Sequence, residues 1–262
     1  MLETAPSACG ALSAASPVKS AGLNPVRRNR QPLATTWLRF LTALLLSGTG
    51  QLALAGNSSS LMEISTDGQL LACTNRDSGT VTVVDLKTLR KVHEVEVGHK
   101  PEGVTFLGDS HHLAVCVYAD DRVVLLDADS GQATGEIEVF DEPYGIVSTP
   151  DGSRLYVTLD YPGQILEIDP QAKKIVRTIE GAGKFLRGLA FDAATSRLYV
   201  TEYYTAAVRA VDVASGNVVD EWVGASTDNL ARQVVLHPTR PKAYVPHIRS
   251  KVNAVHGQGS LF

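Results

Sequence analysis

Several kinds of chemistry leave no mark on this sequence. It has three cysteines and no C-x-x-C-H, which excludes a covalently attached c-type haem. Its seven histidines include no H-x-x-x-H or H-E-x-x-H pair, so the spacing of a zinc site is missing. There is no G-x-S-x-G elbow for a serine nucleophile. No segment keeps a helical period, and no apolar run is long and unbroken enough to be a permanent membrane anchor. Positive charge is scarce as well, with 24 basic against 28 acidic residues.

That charge is unevenly spread. Residues 1–55 hold five basic residues (Lys19, Arg27, Arg28, Arg30, Arg39) and one acid (Glu3), which leaves 19 basic and 27 acidic residues beyond them. A body with a net charge of −8 has no long-range attraction to nucleic acid or anionic lipid, so neither is expected as a partner. The arginines precede LTALLLSGTGQLALA, and Ala53-Leu54-Ala55 followed by Gly56 has the form of a signal-peptidase site. The sequence therefore predicts an N-terminal extension and export signal over 1–55, with an uncleaved anchor as the alternative. The mature chain, 56–262, is expected to be periplasmic or secreted.

What the chain does have is a repeat. The segments 70–92, 112–134, 154–176 and 197–219 align, and their aspartates Asp85, Asp127, Asp169 and Asp212 lie 42, 42 and 43 residues apart. Each aspartate follows an aligned leucine (Leu71, Leu113, Leu155, Leu198) by 14 residues. A fifth copy, KAYVPHIRSKVNAVH, is one residue shorter and has His256 in place of the aspartate.

One unit reads as four strands. In the third copy YGIVST, RLYVTL, QILEID and IVRTIE are separated by PDG, DYPG and PQAKK. The middle strands are apolar on both faces, so each sheet must be covered on both faces. Copies stacked face to face around an axis meet that need, which predicts an all-β fold, a β-propeller of four-stranded antiparallel blades. The blades fall at about 59–101, 102–143, 144–186, 187–231 and 232–262. The last lacks a fourth strand, so about four and a half blades are expected, in an open or incomplete ring. Truncation of a longer chain and completion by a second chain are the two explanations. The repeated aspartate is expected to accept backbone N–H bonds in the turn after the third strand and not to bind a metal. Cys73 aligns with Val115 and Val157 whereas Cys116 aligns with Thr158, so the two point to opposite faces and are expected as buried free thiols.

The phrases STPDGSRLYVT, FDAATSRLYVTEYY and VVDLKTLRKVHEVEVGHKPEGV resemble the YVTN-repeat β-propeller family over residues 59–256. The resemblance implies an exported binding scaffold. Relatives with similar repeats carry haem d1 in nitrite reductase or form the large subunit of quinoprotein amine dehydrogenases. The segment ARQVVLHPTRPKAYVPHIRSKVNAVH is similar to propeller modules joined to cytochrome c peroxidase-like haem domains.

In a propeller of this type, the fourth-to-first and second-to-third connections share one face around the channel. Here those loops are rich in charged and aromatic residues. Glu102, Tyr144, Arg187 and Arg232 enter the innermost strands at equivalent positions and should ring the channel mouth. Two arginines and a tyrosine there can hold a carboxylate or phosphate. The alternative is that they pair with Glu102, Asp141 and Glu142 or face water. Lys184 and Phe185 beside Arg187, together with His247 and Arg249, complete the candidate set for a ligand or partner. Of Tyr203 and Tyr204, alternation turns only one outward. His93, His111 and His112 fall on the opposite side and are expected to be solvated, whereas His99, His247 and His256 lie on or near the mouth face. Two functions follow. The first is a binding scaffold for a protein partner, such as a c-type cytochrome, or for a small anionic ligand, with no cofactor and no catalysis of its own. The second is the propeller part of a periplasmic redox enzyme, with haem held by one of these histidines.

Overall fold

Alternating apolar residues between tight-turn residues become short antiparallel strands because each strand can then bury one or both of its faces. The structure, a computed structural model that describes residues 59–250, contains twenty strands. The first blade is β1 (Ser59–Ile64), β2 (Leu70–Asn75), β3 (Thr80–Asp85) and β4 (Arg90–Glu96). The second is β5 (Pro101–Phe106), β6 (His112–Val117), β7 (Arg122–Asp127) and β8 (Gln132–Glu138), with a single 3-10 turn at Tyr118–Asp120. The third is β9 (Pro143–Ser148), β10 (Leu155–Leu159), β11 (Gln164–Asp169) and β12 (Lys174–Ile179). The fourth is β13 (Leu186–Asp192), β14 (Arg197–Glu202), β15 (Val208–Asp212) and β16 (Val218–Trp222). Each set is a four-stranded antiparallel meander in sequence order.

The 42-residue period has a physical basis in the turns. Backbone with positive φ recurs between second and third strands at Gly79, Asp121, Gly163 and Ala206, and between third and fourth strands at Leu89, Gly131, Lys173 and Gly216. The repeated aspartates cap the latter turns as expected. Asp85 accepts N–H from Thr88 at 2.7 Å, Asp127 from Asp129 at 3.0 Å, Asp169 from Ala172 at 2.8 Å and Asp212 from Ser215 at 2.8 Å.

The core lies between blades and not within them. Val81 and Val83 of blade 1 pack on Leu113, Val115 and Val124 of blade 2. Ala114, Cys116 and Val123 on the other face of blade 2 pack on Leu155, Val157 and Leu166 of blade 3. Tyr156 and Ile165 of blade 3 meet Leu198, Val200 and Val211 of blade 4. Each fully buried aliphatic side chain in these seams contributes about 2 kcal/mol relative to exposure. Both faces of the inner strands of blades 2 and 3 are buried, so β10 is buried at every residue.

The innermost strands β1, β5, β9 and β13 lie side by side, which sets the blades in a fan about a shared centre. Their closeness explains a glycine. A Cβ on Gly145 would stand 2.0 Å from the Arg187 carbonyl oxygen, and one on Gly103 would stand 2.3 Å from that of Tyr144. Threonines tie the same seams. Thr74 Oγ1 donates to the Glu102 carbonyl at 2.7 Å, Thr158 Oγ1 to that of Arg187 at 3.1 Å and Thr201 Oγ1 to that of Ala231 at 3.0 Å. Cys116 takes the equivalent position in blade 2.

Two expectations need correction. The fifth unit is not a continuous sheet over the described residues. It consists of β17 (Asp228–Asn229) paired with β20 (Ile248–Arg249), and β18 (Val235–Leu236) paired with β19 (Ala243–Tyr244). Pro246, at the place of the bonding threonine, has no N–H for the ladder and separates β19 from β20. Cys73 is the second correction. It is a free thiol but only half-buried, on the outward face of blade 1 beside exposed Met62 and Ile64, whereas Cys116 is fully buried. The expected export signal, the third strand of the fifth unit and His256 lie outside the described residues. Among the described residues no helix is long and apolar enough to cross a membrane.

Candidate functional site

Two sets of equivalent residues meet at the end of the fan where innermost strands begin and second strands finish. The first set is Ser60, Glu102, Tyr144, Arg187 and Arg232, each the second residue of its innermost segment. The second is Arg76, Tyr118, Asp160 and Tyr203, which follow the second strands of blades 1 to 4 with the same spacing of 42, 42 and 43. Each member of the second set reaches the first-set residue of the next blade. The mouth is thus closed by pairs that cross the seams.

The pairs differ in chemistry. Arg76 Nε donates to Glu102 Oε1 at 2.6 Å, and Ser60 Oγ donates to the other oxygen of that buried carboxylate. Tyr118 sets its ring edge to face with Tyr144 at 6.3 Å. Arg187 donates to Asp160 Oδ2 from Nη2 at 2.7 Å and from Nε at 3.2 Å, and Tyr118 Oη donates to the same oxygen at 3.3 Å. Asp160 Oδ1 is buried and has no donor. The Arg187 guanidinium also lies between two aromatic faces, 4.6 Å from the Tyr144 centroid and 3.7 Å from that of Tyr203. Burial pulls its pKa down, but the Asp160 hydrogen bond and charge outweigh this and hold it above the usual arginine value. Arg232 stands 5.8 Å over the same Tyr203 ring, and a hydrogen bond to Tyr203 raises its pKa. Unlike Arg187 it is exposed, and it has no carboxylate partner among the described residues.

The expected site residues therefore divide. Glu102 and Tyr144 are in the ring but buried, at 4% and 2% exposure, so they support the mouth from within. Arg187 belongs to Asp160, a partner that the sequence reading did not name. Arg232 is the member of the ring with a cation turned to solvent. Lys184 is exposed next to Phe185, which sits at φ 51° and meets Tyr204 edge to face at 4.9 Å. Tyr203 is buried and Tyr204 is 57% exposed, as alternation requires. His247 and Arg249 gather elsewhere, at Asp228 of the fifth unit. Arg249 Nε stands 2.7 Å and His247 Nε2 3.7 Å from that carboxylate, whose pKa the Arg249 hydrogen bond lowers. Of the second set, Arg76, Tyr118 and Asp160 are not among the expected site residues, although their repeat spacing is legible in the sequence.

The histidines also divide. His99 is exposed and holds Asp120 at 2.9 Å through Nδ1. His112 is exposed and His93 is half-buried, with Nε2 2.9 Å from the Asp129 carbonyl oxygen. His111 is not simply solvated, since carboxylates approach both of its ring nitrogens.

Haem iron finds no ligand in this ring. The ring contains no imidazole, thiolate or thioether, and its carboxylates are engaged by arginines. Tyrosine is the remaining ligand type. Burial, the Glu142 hydrogen bond and the Asp160 charge push the Tyr118 phenol far up, and burial with the Glu102 charge pushes Tyr144 up, which disfavours the phenolate that iron needs. Among the described residues no three His, Cys, Asp or Glu side chains are grouped to hold a metal ion. The ring does not fit a haem iron. One cavity borders it and another lies apart from it. The bordering one, of about 320 Å³, is lined by Arg76, Gly98, His99 and Lys100 on the mouth face. A larger one of about 800 Å³, lined by Tyr199, Trp222 and the residues around the β18–β19 turn, includes none of the ring residues.

Comparison with known proteins bears on this site. The family model described as "Cytochrome D1 heme domain" matches residues 51–256. Among solved structures the chain is similar to Kuenenia stuttgartiensis hydrazine synthase, at 28% identity and a TM-score of 0.67, over 76% of this chain and 59% of that one. It is also similar to a chain of a mitotic checkpoint complex, at 14% identity and a TM-score of 0.62, over 72% of this chain and 57% of that one, a likeness of fold alone. The chain thus spans less than two thirds of either. No curated protein sequence matches it.

Proposed function

Because the chain belongs to the cytochrome D1 heme domain family, we propose that it is an exported propeller scaffold whose channel mouth binds an acidic group. That group belongs to a small anion or to a protein partner such as a c-type cytochrome, and the propeller performs no chemistry on it. The repeat is read as the YVTN type, and export follows from the N-terminal signal expected in the sequence. One observation carries the reading. Arg232 is an exposed guanidinium steadied on Tyr203, while every other charge of the ring is matched across a seam. A planar guanidinium held in this way offers a preorganised fork to a carboxylate or phosphate. Lys184 adds a second exposed cation on the same face.

A second reading, the propeller part of a redox enzyme, is favoured by the family match and by the likeness to hydrazine synthase. In that case the haem or the reacting centre is held outside the described ring, which has no iron ligand: by a mouth-face histidine such as His99, by a partner or by another domain. Two measurements test these readings. Calorimetric titration of the full chain with acetate and with inorganic phosphate should show binding of about millimolar strength that weakens as salt is raised. No heat of binding from either anion removes the first reading. A Soret band in protein purified from its natural compartment supports the second; a chain that takes up no haem and yields no haem-containing partner on co-purification removes it.

A further inference from the structure

On the rim opposite the mouth, His111 stands between two carboxylates from different blades. Its Nδ1 is 2.7 Å from Asp129 Oδ1, in the β7–β8 turn of its own blade. Its Nε2 is 3.0 Å from Asp67 Oδ2, in the β1–β2 turn of blade 1. A carboxylate only accepts, so both contacts are hydrogen bonds only when both ring nitrogens carry protons, that is, when the imidazole is charged. The surroundings fix all three partners. Asp67 also accepts from Ser65 Oγ at 2.6 Å and from the Gln69 N–H at 3.0 Å. The His111 carbonyl accepts from the Ala128 N–H at 2.9 Å, and the Asp129 carbonyl takes His93 Nε2 at 2.9 Å. The neighbouring contact between the same two blades, Thr66 Oγ1 to the Gly108 carbonyl at 3.1 Å, does not titrate.

We infer that His111 is a pH-sensitive latch that ties the β1–β2 turn of blade 1 to blade 2 when protonated and frees that turn when neutral. The neutral ring keeps one N–H. The shorter bond, to Asp129, is within blade 2 and retains it, so the Nε2 lone pair is left facing the Asp67 carboxylate. Deprotonation therefore breaks the bond that crosses the seam. The other titratable groups on the elements packed here are Glu63, His93, Asp109, His112 and Asp127, and none of them lies within hydrogen-bond distance of the His111 ring. Glu63, which accepts the Phe106 N–H across the same seam at 2.9 Å and whose pKa burial raises, is told apart from His111 by the His111→Gln variant, which leaves it in place. The Asp129 hydrogen bond raises the His111 pKa against a smaller opposing effect of burial, and Asp67 raises it further. Asp67 itself is lowered to about 2, first by Ser65 and Gln69, so it stays charged throughout. With the folded value raised, the latch is fully present below the ordinary histidine range and is lost as pH rises through the raised value.

The test is hydrogen exchange of the Thr66–Gln69 turn, corrected for intrinsic rates, between about pH 6 and about pH 8.5. Protection in the wild-type chain should fall several-fold over this range, while the equivalent turn of blade 4 at Asp192–Ser196 stays constant. In His111→Gln, which has a single amide donor group and no titration, the Thr66–Gln69 turn should be poorly protected at both ends of the range. Direct NMR titration of His111 in the wild-type chain gives a reading that needs no variant, and a value above about 6.5 is expected. Equal pH dependence in wild type and His111→Gln, or a His111 that titrates at or below that value, overturns the inference.

Discussion

The two rims of the fan are built from equivalent positions but use them in opposite ways. On the rim away from the mouth, the last residue of each third strand is the same in all four blades, Asp85, Asp127, Asp169 and Asp212, and it performs the same task each time. At the mouth, equivalent positions carry Ser60, Glu102, Tyr144, Arg187 and Arg232, and their cross-seam partners are Arg76, Tyr118, Asp160 and Tyr203. A need of the backbone is identical in every blade and selects an identical residue. Residues that differ at identical backbone positions answer to something other than the backbone. Part of the variety is absorbed by the seams, in the Arg76–Glu102 and Arg187–Asp160 pairs. What remains among the described residues after these pairs are matched is Arg232, and that remainder is where we propose that binding lies.

The comparison can be broken first at the backbone that both rims share. Gly145→Ala places a methyl group 2.0 Å from the Arg187 carbonyl, a clash that only a shift of blade 4 relieves. A loss of about 3 kcal/mol or more is expected in urea unfolding. Gly216→Ala, at φ 74° with no atom nearer than 3.6 Å, should cost about 1 kcal/mol through backbone strain alone. Equal losses would mean that the innermost strands are not in close contact.

Next in size is the buried pair at the mouth. Asp160→Asn removes the charge opposite a guanidinium that is 15% exposed and should destabilise the chain by about 2 kcal/mol. The loss should shrink in the double variant with Arg187→Met, because no unmatched charge is then left inside. Additive losses in that cycle would show that the two residues do not act together.

The smallest effect belongs to the uniform rim. The Ser215 hydroxyl, and then its N–H, hold Asp212 below the usual carboxylate range. A depressed folded-state value contributes stability above the unfolded value, and that stability is lost as pH falls through the folded value. Asp212→Ala should therefore lower the thermal midpoint slightly at neutral pH, with the gap to wild type closing in acid. A gap independent of pH would place the effect on turn propensity and not on the carboxylate.

The parts of this architecture that could be read from the sequence are those that repeat. The spacing of the aspartates gave the blades, and alternation within QILEID gave strands buried on both faces. The bonds between blades were harder to see, because they join residues 26 to 29 positions apart whose side chains have nothing in common, such as Arg76 with Glu102 and Tyr203 with Arg232. Their spacing was visible but their pairing was not. His111 looked like a surface histidine because its partner Asp67 is 44 residues away in another blade. The fifth unit misled for a local reason. KAYVPH matches the second-strand pattern in its apolar residues, but proline stands at the position where threonine ties three of the seams.

The most direct test of the central claim is one variant measured in two ways. Arg232→Gln should abolish binding of inorganic phosphate and leave the thermal midpoint within about 1 °C of wild type, since the residue is exposed and holds no carboxylate among the described residues. Phosphate binding that persists unchanged in this variant, or a fall in midpoint as large as that of Asp160→Asn, would contradict the claim that the mouth's unmatched cation is its binding group.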